Sequence, residues 1–105
     1  MSEKLEVIYY PSVDNMKIFV VDIEYRLPHT HPEMEILFVF KGNPIFIIND
    51  EKFEFHQGDI ILINSNDKHE IISNNGISTF LVLNIKSSLF WNIFWNIFVV
   101  YLICI

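Results

Sequence analysis

The sequence predicts an all-β domain, built as a small antiparallel sandwich or barrel. Short runs of Val, Ile, Phe and Tyr alternate with clusters of Asn, Asp, Gly, Pro and Ser, and the apolar fraction is 51%. Eight short strands at this regular spacing are typical of sandwiches and barrels. The expected strands lie near residues 6–10, 17–25, 34–41, 44–49, 52–56, 59–63, 69–73 and 78–85.

A chain of 105 residues has room for a single core. We therefore predict one barrel domain over residues 1–86 and a separate tail over residues 87–105. Two turns divide the predicted strands. Asn49 and Asp50 indicate a hairpin because both residue types tolerate a left-handed backbone, and Gly76 can take the positive φ of a second turn.

The tail is apolar and carries no charge from Leu89 to Ile105. We expect a short hydrophobic helix, which as 17 residues would span roughly 25 Å and pack on the barrel or on a second subunit. A membrane anchor is a competing interpretation, disfavoured by Asn92 and Asn96. A third interpretation is a non-native end of a truncated or frame-shifted gene, since Trp-Asn-Ile-Phe occurs twice in succession.

Charge and cysteine content argue against several classes of partner. Thirteen acidic residues against seven basic ones give a net charge of −6, and the cations are spread singly, so we expect no direct nucleic-acid binding. The single Cys104 excludes an intramolecular disulfide. The first residues lack the features of a leader peptide, so the sequence predicts a cytoplasmic protein away from membranes.

Three potential ligands lie within seven residues, at His29, His31 and Glu35. Alternation in an extended strand places odd-numbered side chains on one face, although Pro32 leaves that parity open. A charged Glu35 facing an apolar interior needs a cation, a protonated histidine or a hydrogen-bonding ligand as partner. This requirement indicates a binding site.

The same residues carry a family resemblance. His29, His31, Glu35 and Gly42 fill a pattern of His-x-His, three residues, Glu, six residues and Gly. This pattern resembles the first part of the two-part cupin motif. Across the strand pattern, the resemblance extends to about residues 6–85.

The second part of that motif is Gly, five residues, Pro, one residue, Gly, two residues and His. Gly58 and His69 fill its two ends, whereas Asn64 stands where the family has Pro and Asn66 where it has the second Gly. These two departures predict a different loop before His69. His56 lies outside the motif, and we interpret it as an ordinary strand or turn residue.

The resemblance implies a jelly-roll barrel, the double-stranded β-helix of cupins. In metal-binding members of the family, two His, the Glu and the distal His hold Fe, Mn, Ni or Zn, and a divalent transition metal is therefore the implied cofactor. The corresponding residues here are His29, His31, Glu35 and His69.

The run from His29 to His69 is more similar to the amino-terminal domain of AraC-type transcription regulators. That resemblance implies a homodimer that senses a small polar molecule, with a sugar as one candidate, and it implies no catalysis. We expect no helix-turn-helix module after Ile85, because about 20 residues are too few for one.

Two alternatives remain open. One is a stand-alone metal-dependent cupin enzyme, such as a dioxygenase or sugar isomerase, although we identify no separate acid or base beside the four ligands. The other is a barrel that only dimerises. Four phenylalanines are candidates for barrel wall or subunit contact, at Phe38, Phe40, Phe46 and Phe55.

Overall fold

The computed structural model describes residues 3–9, 12–13 and 16–86. These residues form antiparallel strands and, within those ranges, no helix, which confirms the all-β prediction. The predicted tail helix over 87–105 lies outside the described residues. The strands are β1 (Lys4–Tyr9), β2 (Ser12–Val13), β3 (Met16–His29), β4 (Met34–Ile48), β5 (Glu51–Glu54), β6 (Ile60–Ile63) and β7 (His69–Ile85).

Three long strands organise the barrel. The strand order is β1-β3-β7-β4-β5, with β2 paired to β3 and β6 paired to β4. The first half of β4 pairs with β6 and its second half with β5, while β7 runs between β3 and β4 along nearly its whole length. Each long strand therefore contributes to two halves of the barrel.

Strand β4 joins two segments that the sequence predicted as separate strands, 34–41 and 44–49. It stays paired with β7 on both sides of Gly42, with an irregular register close to that residue. Gly42 has a φ of 101°, and a Cβ there would lie 2.9 Å from Cα of Ser78. The strand bends without ending because a glycine allows this close approach of two backbones.

Strand β7 likewise joins the predicted strands 69–73 and 78–85. The expected turn is confirmed within this one continuous strand, since Asn75 and Gly76 have φ of 61° and 118° and residues 73–77 bulge out opposite the single Glu24 of β3. The predicted hairpin between β4 and β5 is confirmed, since Asn49 and Asp50 have φ of 49° and 69°. Local turn residues therefore mark bends as well as strand ends in this barrel.

One hydrophobic core fills the barrel, drawn from both halves of the long strands. The ring of Phe46 lies 5.8 Å from that of Phe80 and 5.4 Å from that of Phe55, between centroids. Phe46 is fully buried and Phe55 packs half-buried against the core, so both belong to the wall. Phe38 is half-buried, whereas Phe40 is exposed.

Among the residues that the structure describes, no helix is long and apolar enough to span a membrane.

Candidate functional site

Four side chains from separate parts of the chain converge inside one end of the barrel. The site consists of His29, His31, Glu35 and His69, whose potential ligand atoms all lie within 4.8 Å of one another. His29 ends β3 and pairs across the strands with His69, which begins β7. Glu35 lies near the start of β4, and His31 lies in the connection before it. We call these four residues the His/Glu cluster.

Glu35 finds the partners that its burial requires. Its side chain and that of His69 are each about 1% exposed or less. Oε2 of Glu35 accepts a hydrogen bond from Nε2 of His31 at 2.9 Å. Nε2 of His69 lies 3.3 Å from the same oxygen but outside hydrogen-bond geometry. The carboxylate is therefore held by one imidazole and approached by a second.

The three imidazoles share one hydrogen-bonding pattern. In each ring Nδ1 lies within hydrogen-bond distance of a backbone carbonyl two residues away, which fixes the proton on Nδ1. The remaining nitrogen, Nε2, belongs to the set of atoms that converge in the cluster. The pairs are His29 with Leu27 at 2.7 Å, His31 with Glu33 at 3.0 Å and His69 with Asp67 at 2.9 Å.

Two of these Nε2 atoms make no hydrogen bond to any described residue. Nε2 of His29 and Nε2 of His69 are buried and make no hydrogen bond within the described ranges. Leaving a buried polar atom unpaired costs about 1–3 kcal/mol. Two such atoms next to a carboxylate are therefore a costly arrangement unless something else binds there.

A third buried atom without a hydrogen bond to the described residues belongs to Asn84, which pairs with Glu35 in the register of β4 and β7. Oδ1 of Asn84 is buried and also lacks a hydrogen-bond partner among the residues described. Asn84 is the cross-strand partner of Glu35, and directly opposed side chains on one face lie about 5 Å apart. Sequence reasoning missed Asn84, although alternation from the buried Phe80 and Val82 places it on the interior face.

The members of the cluster differ in charge: Glu35 and His31 form an oppositely charged pair, whereas the ring of His29 is neutral. Burial favours the neutral form of Glu35, but the hydrogen bond from His31, together with the positive charge of a protonated His69, outweighs it and lowers the carboxyl pKa to about 2. The same hydrogen bond raises the pKa of His31. Burial lowers the pKa of His29. Glu35 is therefore an anion that favours a positive charge on His31.

The loop before His69 contains Asn66, which stands where the family motif has its second glycine. Asn66 has a φ of 64°, in the left-handed region that Asn and Gly adopt more readily than other residues. Its backbone N–H donates to the carbonyl of His31 at 2.8 Å. This bond joins the two segments that carry the cluster. The expectation that this loop differs from the loop of the family motif stays a prediction.

His56 lies away from the cluster and is exposed. Its backbone N–H donates to Oδ2 of Asp59 at 2.7 Å, and the N–H of Asp59 donates to the carbonyl of His56 at 3.0 Å. These bonds close the turn around Gly58, which has a φ of 91°. Asp59 therefore caps this turn.

Comparison with known proteins identifies the family. The family model of the cupin domain matches residues 20–86, a stretch that holds all four cluster residues. The chain belongs to the cupin family.

The curated proteins that this chain resembles include transcription regulators. The chain is 38% identical over 59 residues to the HTH-type transcriptional regulator YdeC of Bacillus subtilis, and 35% identical over 49 residues to the HTH-type transcriptional activator RhaR of Escherichia coli. These matches cover 55% and 47% of this chain but only 20% and 17% of the relatives. They show distant similarity to one part of much longer proteins.

Solved structures confirm the cupin fold. The barrel resembles a cupin superfamily protein from Desulfitobacterium hafniense with a TM-score of 0.70 and 13% sequence identity. The match covers 78% of this chain and 77% of that one. At this level of identity the likeness concerns the fold alone.

Proposed function

We propose that this cupin is the sensing domain of a transcription regulator, in which a small polar molecule binds beside a divalent transition metal held by the His/Glu cluster. One observation carries the proposal. Two buried Nε2 atoms, of His29 and His69, lack partners and lie within 4.8 Å of the Glu35 carboxylate.

The donor set fits a metal of this class. Imidazole nitrogen suits Fe, Ni and Zn, and a carboxylate adds the oxygen that Mn also accepts. In metal sites a ligating histidine usually donates its other ring N–H to a carbonyl or carboxylate, and all three histidines already do so through Nδ1. His29, His31, Glu35 and His69 would hold the ion, which would supply positive charge for binding oxygen ligands.

The cluster residues have separate tasks before any ion arrives. Glu35 provides a negative charge that is already ionised, and its hydrogen bond holds the proton on Nε2 of His31. Nε2 of His29 and of His69 need lose no proton, because their Nδ1 atoms donate to carbonyls. His31 is the one histidine of the cluster that has to release a proton to become a ligand.

A polar molecule would satisfy the remaining buried atom that lacks a hydrogen bond to the described residues. Oδ1 of Asn84 is a buried acceptor next to Glu35 in the register of β4 and β7, and a hydroxyl or amine would satisfy it. Polyols such as sugars carry several hydroxyls that can reach an amide and a metal together. A sugar is therefore the first class of molecule to test.

Metal content per chain is the direct test. We expect about one transition metal ion per chain in the wild-type protein and a loss of that ion in His69→Ala. His56→Ala is the matched control, because His56 is exposed and lies outside the cluster. Wild-type protein that stays metal-free after incubation with Fe, Mn, Ni and Zn salts would contradict the metal part of the proposal.

Thermal stabilisation by a panel of monosaccharides tests the sensing part. A sugar that binds should raise the melting temperature of metal-loaded wild-type protein in proportion to its concentration. Asn84→Ala should weaken that stabilisation while leaving metal content unchanged. A panel without effect on metal-loaded protein would argue against a sugar as the sensed molecule.

Pairing with a second copy is a further part of the proposal. Phe40, Ile60 and Leu62 leave an apolar patch on the outer face of β4 and β6, with 43%, 69% and 49% of these residues exposed. We expect sedimentation of the full chain to give a dimer, and Leu62→Lys to give a monomer. Ile77→Lys is the control, since Ile77 is 52% exposed in the β7 bulge. A monomeric wild type would contradict this part.

A metal-dependent cupin enzyme is the second candidate function, favoured by the same set of three histidines and one glutamate. The two functions differ in what happens to the bound molecule. A sensor returns the sugar unchanged from metal-loaded protein, whereas an isomerase or dioxygenase converts it. Mass spectrometry and NMR of the recovered molecule distinguish the two.

A further inference from the structure

The loop that presents His69 is held from outside the cluster by Asn49, in the turn between β4 and β5. The backbone N–H of Asn49 donates to the carbonyl of Lys68 at 2.8 Å. Its side-chain Oδ1 accepts from the N–H of Lys68 at 3.0 Å, and its Nδ2 donates to Oδ1 of Asp67 at 2.9 Å. Three hydrogen bonds therefore fix the two residues directly before His69.

These hydrogen bonds affect the cluster through Asp67, which is itself hydrogen-bonded to His69. The carbonyl of Asp67 is the acceptor for Nδ1 of His69 at 2.9 Å. Asn49 holds the same residue by its carboxylate and holds Lys68 by both backbone groups. The direction of the Asp67 carbonyl, and with it the tautomer and orientation of the His69 ring, therefore depends on Asn49.

Asparagine suits this position for two independent reasons. The φ of 49° lies in the left-handed region, which Asn adopts more readily than most residues. Its amide also supplies one donor and one acceptor at the same time, and both are used. Asn75 provides a contrast, because it has a φ of 61° but makes no side-chain hydrogen bond to any residue the structure describes.

We propose that Asn49 is a positioning residue for the binding site. It fixes the loop at Asp67 and Lys68 so that Nε2 of His69 faces His31 and Glu35. The effect on metal affinity rests on the proposed function, whereas the effect on the His69 ring does not.

Matched glycine substitutions test this role in the full chain. Asn49→Gly removes both side-chain hydrogen bonds. Asn75→Gly is the same substitution at a position whose side chain makes no hydrogen bond to any described residue. Glycine accepts a positive φ at either position, so neither variant adds backbone strain. We expect calorimetry to show Zn²⁺ binding weakened by up to about 10-fold in Asn49→Gly, the low end of the loss for a direct partner of a metal ligand, because Asn49 acts on His69 through Asp67. Binding in Asn75→Gly should stay within about twofold of wild type.

The second measurement needs no metal. Long-range nitrogen-proton NMR of metal-free protein reports which ring nitrogen of His69 carries the proton. We expect a single form protonated at Nδ1 in the wild type and in Asn75→Gly, and a mixture of both tautomers in Asn49→Gly. Disorder confined to the turn at residues 49–50, with the Asp67 carbonyl still in place, would leave this signal unchanged.

A reciprocal substitution tests the hydrogen bonds themselves. The double variant Asn49→Asp with Asp67→Asn exchanges donor and acceptor but keeps one amide–carboxylate pair and an acceptor for the N–H of Lys68. We expect it to recover most of the Zn²⁺ affinity. Asn49→Asp alone should not, because it places two carboxylates at the 2.9 Å contact.

The outcomes separate the two proposals. Wild-type Zn²⁺ affinity together with an unmixed Nδ1 tautomer in Asn49→Gly would overturn the positioning role. A wild-type protein that binds no Zn²⁺ would remove the metal from the proposed function, while the tautomer comparison would still decide the role of Asn49.

Discussion

The hydrophobic core and the His/Glu cluster are both buried and are both built by β3, β4 and β7, yet they differ in how well their atoms are satisfied. Core side chains such as Phe46 and Phe80 are fully buried and contact one another. In the cluster, the equally buried His69 keeps an unpaired Nε2. The comparison teaches that favourable packing in the core offsets the energetic cost of unpaired polar atoms in the cluster. Such unfavourable arrangements are typical of functional sites.

The largest effect is expected in the core. Phe80→Ala removes a fully buried ring that contacts Phe46, so we expect the free energy of unfolding to fall by about 3–5 kcal/mol. Denaturant unfolding measures the change. A loss below about 1 kcal/mol would show that the core does not sustain the fold as described.

The second effect concerns pH and metal-free protein. The pKa of Glu35 is about 2 in the folded chain, below its ordinary value of 4.5, so its ionised form stabilises the fold above about pH 4.5. This contribution, roughly 3 kcal/mol, should be lost as pH falls towards 2. Unfolding free energies from pH 6 to pH 2 should decline more steeply in the wild type than in Glu35→Gln. Equal slopes would contradict the assigned pKa.

The smallest effect separates the cluster from the core most sharply. His69→Leu replaces a buried ring with an unpaired atom by an apolar side chain of similar size. In metal-free protein we expect the unfolding free energy to fall by about 1–2 kcal/mol, less than for Phe80→Ala, because removal of the unpaired Nε2 offsets only part of the cost of the lost bond to Asp67 and the lost contact with Glu35. The gain in stability on adding Zn²⁺ should disappear. A cost like that of Phe80→Ala would mean that His69 serves the fold.

The sequence was sufficient to predict the barrel and the identity of the cluster. Strand alternation and turn residues predicted an all-β fold. The structure brings His29, His31 and Glu35 together, although Pro32 had left open whether they share a face. The fourth member of the cluster, His69, was predicted through the family resemblance. Convergence of these four residues depended on pairing between distant strands, which local spacing does not determine.

Other features were beyond local reasoning. Turn residues near Gly42 and Gly76 predicted strand ends, but the structure shows bends, because a barrel strand can keep its pairing while it changes direction. Asn49 was recognised only as a turn former, since its bonds join residues 18 and 19 positions apart. Asn84 was missed because an isolated asparagine near a strand end is usually exposed.

The most direct measurement is a crystal structure of protein soaked in Zn²⁺, with anomalous differences recorded above and below the zinc absorption edge. We predict one strong peak per chain, bonded to Nε2 of His29, His31 and His69 and to the carboxylate of Glu35. The peak should vanish in His69→Ala crystals treated identically. A map without a peak among these atoms, while zinc binds elsewhere on the same molecule, would contradict the proposal that the His/Glu cluster is a metal site.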